Sequence, residues 1–134
     1  MTQTARYHHG DLHATLLQEA NTLLNEQGIE GLSLRKLAER AGVSRTAPYH
    51  HFRDKNALLC ALATQAFRQL DEMINSQLQE AGSQEGIQNF VREYLRFATE
   101  NPEQYELMFG RTIWKGGEPT DELKTIAYRS FRHY

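Results

Sequence analysis

A lone cysteine cannot close an internal disulfide, and this 134-residue sequence has only Cys60. It sits at helical spacing among Leu58, Leu59 and Leu62, so it reads as a small buried hydrophobe and redox chemistry is set aside. No apolar run approaches the roughly 20 residues that a bilayer-spanning helix needs. The first 18 residues are polar and lack the basic-then-apolar order of a secretion signal, so a cytoplasmic protein is expected. Three prolines and no runs of β-branched residues leave little for strands, and an all-α chain is expected. Missing too are a nucleophile elbow, a phosphate-binding glycine loop, paired cysteine ligands and a His-Glu-x-x-His helix, so no enzyme is expected. The pairs His8-His9 and His50-His51 send neighbouring rings to different sides, although His9 and His13 share a helical face; no metal and no cofactor are expected.

What is present is ordinary in amount and uneven in placement. With 40% hydrophobic and 24% charged residues, the chain can bury a core as one domain, or as a small domain leaning on part of a second. The net charge of −2 hides a division. Residues 33–56 hold Arg35, Lys36, Arg40, Arg45, Arg53 and Lys55 against Glu39 and Asp54, a balance of +4. Residues 57–134 hold eight basic and eleven acidic residues, a balance of −3. A basic footprint confined to one segment suits local phosphate contact without general adhesion to polyanions.

Hydrophobic spacing divides the chain into helices. Leu12, Leu16, Leu17, Ala20, Leu23 and Leu24 share one stripe, with Asp11 placed to cap the helix and Gly28 to stop it. Ser33 caps a two-turn helix with Leu34, Leu37, Ala38 and Ala41 inward, Leu32 packing on Leu37, and Gly42 ending it. Gly42 frees the backbone for a tight turn, Val43 plugs the elbow and Ser44 can cap a helix over residues 45–52, which is a helix-turn-helix layout. Asp54 caps a fourth, long helix reaching residue 81, on the order of 40 Å and enough to link two domains. After a break at residues 82–86, Ile87, Phe90, Val91, Tyr94, Leu95 and Ala98 form an inward stripe. Asn101 and Pro102 open a short helix that ends at Gly110, residues 115–120 form a loop, and a last stripe runs from Leu123 through Phe131 to Tyr134.

The segment SLRKLAERAGVSRTAPYHHFRDKNAL, residues 33–58, resembles the signature of the tetracycline-repressor (TetR) family of transcription regulators. The resemblance rests on Ser33, Leu37-Ala38, Ala41-Gly42-Val43-Ser44, Tyr49, His51-Phe52, Lys55 and Leu58, at fixed offsets. It implies a three-helix DNA-binding domain over residues 1–56 and an incomplete helical ligand-binding and dimerisation domain over residues 57–134. In such motifs the second helix enters the major groove and the first crosses the backbone. By resemblance Arg45, Thr46 and Ala47 face bases, with Arg45 suited to guanine and the methyl groups of Thr46 and Ala47 to thymine. Tyr49, His50, His51 and Lys55 meet phosphates, Ser33 reaches one from the preceding helix, Ser44 heads the reading element, and Arg6 follows the duplex as an arm. Phe52 reads as a core aromatic. Pro48 departs from the family pattern, which usually has leucine there; it predicts a third helix that starts late or as a 3-10 turn and leaves the base contacts open.

Two weaker resemblances accompany this one. Tyr7-His-His-Gly-Asp-Leu12 resembles the lead-in of one subgroup, and residues 100–109 with Trp114 resemble the start of a second domain known for a Trp-His-Gly signature, whose His-Gly portion is not present. The resemblance implies a palindromic double-stranded DNA operator, a homodimer, and a small-molecule effector that shifts the spacing of the reading heads through the long helix. Tyr94, Phe97, Tyr105, Met108, Phe109 and Trp114 are the candidate effector contacts, or ordinary helical core. The family's last two helices are not in the sequence, and the stripe ending at Tyr134 is expected to be cut within a helix. A repressor is expected. The alternative left open by the residues is a helical protein-interaction module without DNA affinity.

Overall fold

The computed structural model describes the backbone of residues 11–80 and 83–132 and the side chains of 11–76 and 84–130. Every regular element among them is helical. They are α1 (Leu12–Gly31), α2 (Leu34–Ala41), a 3-10 turn (Ala47–His50), α3 (Lys55–Glu80), α4 (Ser83–Glu100), α5 (Pro102–Phe109), α6 (Arg111–Trp114) and α7 (Asp121–Arg132). Two compact units divide inside α3, between Leu62 and Ala63, whereas the family resemblance implies a boundary at residue 56. The first two turns of α3 therefore go with the N-terminal unit, where Leu58 and Leu62 are buried.

The N-terminal unit is closed by leucines. Leu16, Leu24, Leu32, Leu37 and Leu58 are at most 1% exposed, and Phe52 is 2% exposed. Each such side chain contributes about 1.5–3 kcal/mol of transfer free energy. Gly28 breaks α1 as expected, with φ 78° and ψ 177°, and one further turn follows to Gly31. Asp11 stands at the head of α1 but its side chain makes no capping bond; its carbonyl accepts from the Thr15 N–H at 3.0 Å instead. Ser33 caps α2 as expected, its Oγ accepting from the Lys36 N–H at 3.0 Å. Gly42 ends α2 with φ 71°, a left-handed conformation that lets the Val43 N–H close back on the Ala38 carbonyl at 3.1 Å.

In the C-terminal unit the edges of the elements differ from expectation in three places. α4 starts at Ser83 and carries Gly86 within its first turn, so the break is shorter than the 82–86 span suggests. The stripe on α4 splits: Ile87, Val91 and Leu95 are 54%, 46% and 58% exposed, while Phe90, Tyr94 and Phe97 are half-buried. The turn α6 was not marked by periodicity, being one turn long; Glu106 builds it by accepting from the Arg111 N–H at 3.1 Å and the Thr112 hydroxyl at 3.0 Å. Leu107, Met108, Ile113, Leu123 and Ile126 fill the core of this unit. Ser130, fully buried on α7, donates to Asp71 Oδ1 on α3 at 2.8 Å.

Candidate nucleic-acid interface

The element expected to read bases is shorter than residues 45–52. Pro48 lacks an N–H, so the Ser44 carbonyl cannot accept from position 48; it accepts from Ala47 at 3.1 Å instead. The following bonds keep the tighter step, Tyr49 N–H to Thr46 at 3.0 Å and His51 N–H to Pro48 at 3.0 Å. The predicted third helix is thus a 3-10 turn over Ala47–His50, with Pro48 itself buried. Ser44 opens it through its carbonyl and not through a side-chain cap; its hydroxyl lies 3.4 Å from that of Thr46.

This short turn leaves its flanking side chains outward. Arg45, Thr46, Tyr49, His50 and His51 are exposed, Tyr49 by 55%, while Ala47, Ser33 and Lys55 are half-buried. Phe52 is core, as the sequence predicts. Asp54 fixes the start of α3, its Oδ1 accepting from the Ala57 N–H at 2.9 Å, which places Lys55 in the first turn. There the helix dipole and the lysine charge act on an anion in the same sense. Arg6 lies outside the described residues.

Pairing separates the six basic residues of the segment into two sets. Arg40 binds both oxygens of Glu26, at 2.8 and 2.9 Å, with Glu19 at 3.9 Å, and so ties α2 to α1. Lys36 donates to Gln27 Oε1 at 3.1 Å across the same joint. Arg35 has Glu39 at 3.8 Å and Arg53 has Asp54 at 3.7 Å. Arg45 and Lys55 have no counter-charge and no hydrogen-bond partner among the described residues. Among the described residues Lys36 also lacks a counter-charge, its partner being the neutral Gln27 amide, but the two cations with no partner of either kind are the two that the sequence pattern assigns to DNA.

One neighbour of the interface has no local signal in sequence. The His13 ring, from α1, lies 5.4 Å from that of His51 and 5.2 Å from that of Phe52, centroid to centroid. Desolvation of the His51 ring, with the charges that His13 and His50 carry when protonated, holds its pKa below the ordinary 6.5. Among the described residues no group of three or more metal-binding side chains occurs.

The candidate effector contacts all lie in the C-terminal unit and mostly touch one another. Tyr94 and Tyr105 bring their hydroxyls to 3.4 Å, and Phe109 packs on Tyr105 at 5.0 Å and edge-on against Phe67 at 5.4 Å. The Trp114 indole donates to the Met108 carbonyl at 2.8 Å, and Met108 is buried. Phe97 is half-buried, its carbonyl accepting from the Asn101 amide at 3.2 Å; Asn101 heads α5 without capping it. A cleft of about 280 Å³ in this unit is lined by Asp71, Ile74, Asn75 and Arg129, none of them among the six.

Against known proteins, the family model for bacterial regulatory proteins of the tetR family matches residues 16–62. The class A tetracycline repressor of transposon 1721 from Escherichia coli is 59% identical over 49 residues, 37% of this chain and 23% of that one. The HTH-type transcriptional repressor AcnR of Corynebacterium glutamicum is 33% identical over 93 residues, 69% of this chain and 43% of the repressor. This chain thus spans less than half the length of these relatives. Among solved structures, a protein of unknown function from Rhodococcus sp. RHA1 superposes with a TM-score of 0.79 at 36% identity, covering 95% of this chain and 66% of that one. The TetR family regulator PfmR of Thermus thermophilus superposes with a TM-score of 0.64 at 32% identity, covering 85% and 62%.

Proposed function

We propose that the chain, whose residues 16–62 match the model for bacterial regulatory proteins of the tetR family, is a sequence-specific DNA-binding repressor of transcription. The observation that carries the reading is the pairing pattern: on a helix-turn-helix whose other cations are engaged by Glu19, Glu26, Gln27, Glu39 and Asp54, Arg45 and Lys55 have no partner among the described residues and are open to an outside anion. The names of the two relatives, both repressors, favour repression over activation.

In this reading the turn at Ala47–His50 enters the major groove and α2 lies across the backbone. Arg45 pairs with a guanine, worth about 1–3 kcal/mol of discrimination, and Thr46 and Ala47 offer methyl contacts to thymine. Tyr49, His50, His51, Ser33 and Lys55 hold phosphates and set the register. Two copies, one turn of duplex apart, read a palindrome and occlude a promoter in the cytoplasm. The aromatic cluster of Tyr94, Phe97, Tyr105 and Phe109, with Met108 and Trp114, is the proposed contact for a small apolar effector that weakens DNA binding by favouring a second conformation.

Salt separates this function from docking of an apolar helix. Anisotropy of a labelled mixed-sequence duplex, followed across a salt series, should give an affinity that falls linearly on logarithmic axes as counterions are released. Affinity insensitive to salt, or no binding at the lowest salt, would remove DNA as the partner and put a protein partner in its place.

A further inference from the structure

The feature of the N-terminal unit that neither core packing nor base reading uses is the imidazole pair at the rim of the interface. His13 on α1 and His51 after the 3-10 turn approach to 5.4 Å, with the buried Phe52 ring 5.2 Å from His13 and 6.2 Å from His51. Neither imidazole has a hydrogen-bond or ion-pair partner among the described residues. The remaining ionisable groups of the adjoining elements are Asp11 at the head of α1, Tyr49 and His50 on the turn, and Arg53, Asp54 and Lys55 where α3 begins. Asp54 is already engaged by Arg53 and by the Ala57 N–H. The charges that act on His51 come from His13 and His50, and both oppose a proton there. Among the described residues this site repels its own protonation, and no carboxylate offsets it at His51.

We infer that the His13–His51 pair links DNA binding to proton uptake, with the duplex phosphate supplying the counter-charge that the free protein withholds. The inference rests on the DNA-binding reading and names a control on that same surface. Its logic is Coulombic. An opposite charge within about 4–6 Å favours the protonated imidazole, as a like charge disfavours it. A phosphate held by Tyr49, His50 and Lys55 arrives beside a ring poised neutral, so binding raises the proton affinity of His51. By linkage the protonated protein then binds DNA more tightly than the neutral one. Desolvation first and then the His13 charge hold the free ring neutral, and so set the pH at which the response falls, while the phosphate sets its size.

The sign is opposite to that of folding. In the free protein the depressed pKa means that acid disfavours the fold, whereas in the complex acid favours the DNA-bound form. Affinity for DNA should therefore rise as pH falls from about 8 to about 6, by roughly tenfold for each unit by which DNA raises the His51 pKa.

The test uses the whole chain and the mixed-sequence duplex of the salt series, at fixed low ionic strength across that pH range. The parent should bind more tightly at low pH, and His51→Asn, whatever its affinity at high pH, should flatten the dependence. His13→Asn should raise the pH at which tightening begins. The same conclusion is read without variants from the NMR titration of the His51 ring, whose midpoint should move up when duplex is added. Salt-dependent binding that ignores pH, a slope unchanged in His51→Asn, or a His51 midpoint unmoved by duplex would each overturn the inference and leave DNA binding intact. Absence of binding at every pH would instead overturn the DNA-binding reading on which it rests.

Discussion

Arg45 and Lys55 carry the same charge but should fail differently when removed. Arg45→Ala should cost about 1–3 kcal/mol of operator affinity and relax the preference at one base pair, because a bidentate base contact is lost. Lys55→Ala should weaken all duplexes alike and lower the salt slope by about 1. Competition binding with point-mutated duplexes separates the two, and loss of base preference in the lysine variant would reverse the assignment. At His51 the folded-state pKa lies below 6.5, so the unfolded chain holds the proton more firmly. The stability owed to the neutral ring is complete above 6.5 and is lost as pH falls from there to the folded value. His51→Asn should therefore lose less stability than the parent between about pH 7 and pH 5 in urea unfolding at matched salt; an equal loss contradicts this. The outward placement of Arg45 and Tyr49 and the position of Lys55 in the first turn of α3 were legible because fixed offsets from the turn name them. His13 was not, because its partner is 38 positions away and only folding of α1 onto the turn brings the rings together.

At the scale of elements, Pro48 decides the form of the reading segment. Pro48→Ala restores an N–H that can reach the Ser44 carbonyl, and amide exchange at residues 49–52 should slow as the 3-10 turn gives way to an α-turn; unchanged exchange would mean that Phe52 packing, not proline, sets the geometry. Gly110 is a second decisive position. A Cβ there would meet the Glu106 carboxylate, which is held by the Arg111 N–H, the Thr112 N–H and the Thr112 hydroxyl. Gly110→Ala should thus cost on the order of 1–3 kcal/mol by displacing that carboxylate. A thermal midpoint equal to the parent's would show that Glu106 swings aside freely. The helices α1, α2, α3 and α5 could be read from spacing and from Asp54, Ser33, Gly42 and Pro102 at their ends. α6 could not, since one turn has no period and its cap, Glu106, is borrowed from the helix before it. Nor could the split face of α4, because Ile87, Val91 and Leu95 alternate along the helix with Phe90, Tyr94 and Phe97, and spacing alone does not say which set meets the core.

For the whole molecule, the segregation of charge matters more than its sum. A balance of +4 over residues 33–56 beside −3 over residues 57–134 confines attraction for a polyanion to the helix-turn-helix and opposes it elsewhere. The charge pattern was readable from the sequence, but the internal pairing of four of the six cations was not, and it is this pairing that singles out Arg45 and Lys55 as the proposed contacts. The most direct test is to select bound duplexes from a random-sequence pool with the parent and with an Arg45→Ala, Tyr49→Ala, Lys55→Ala variant. Enrichment of one motif by the parent, lost in the folded variant, is the predicted result; equal enrichment by both, or none by the parent at low salt, would contradict the account.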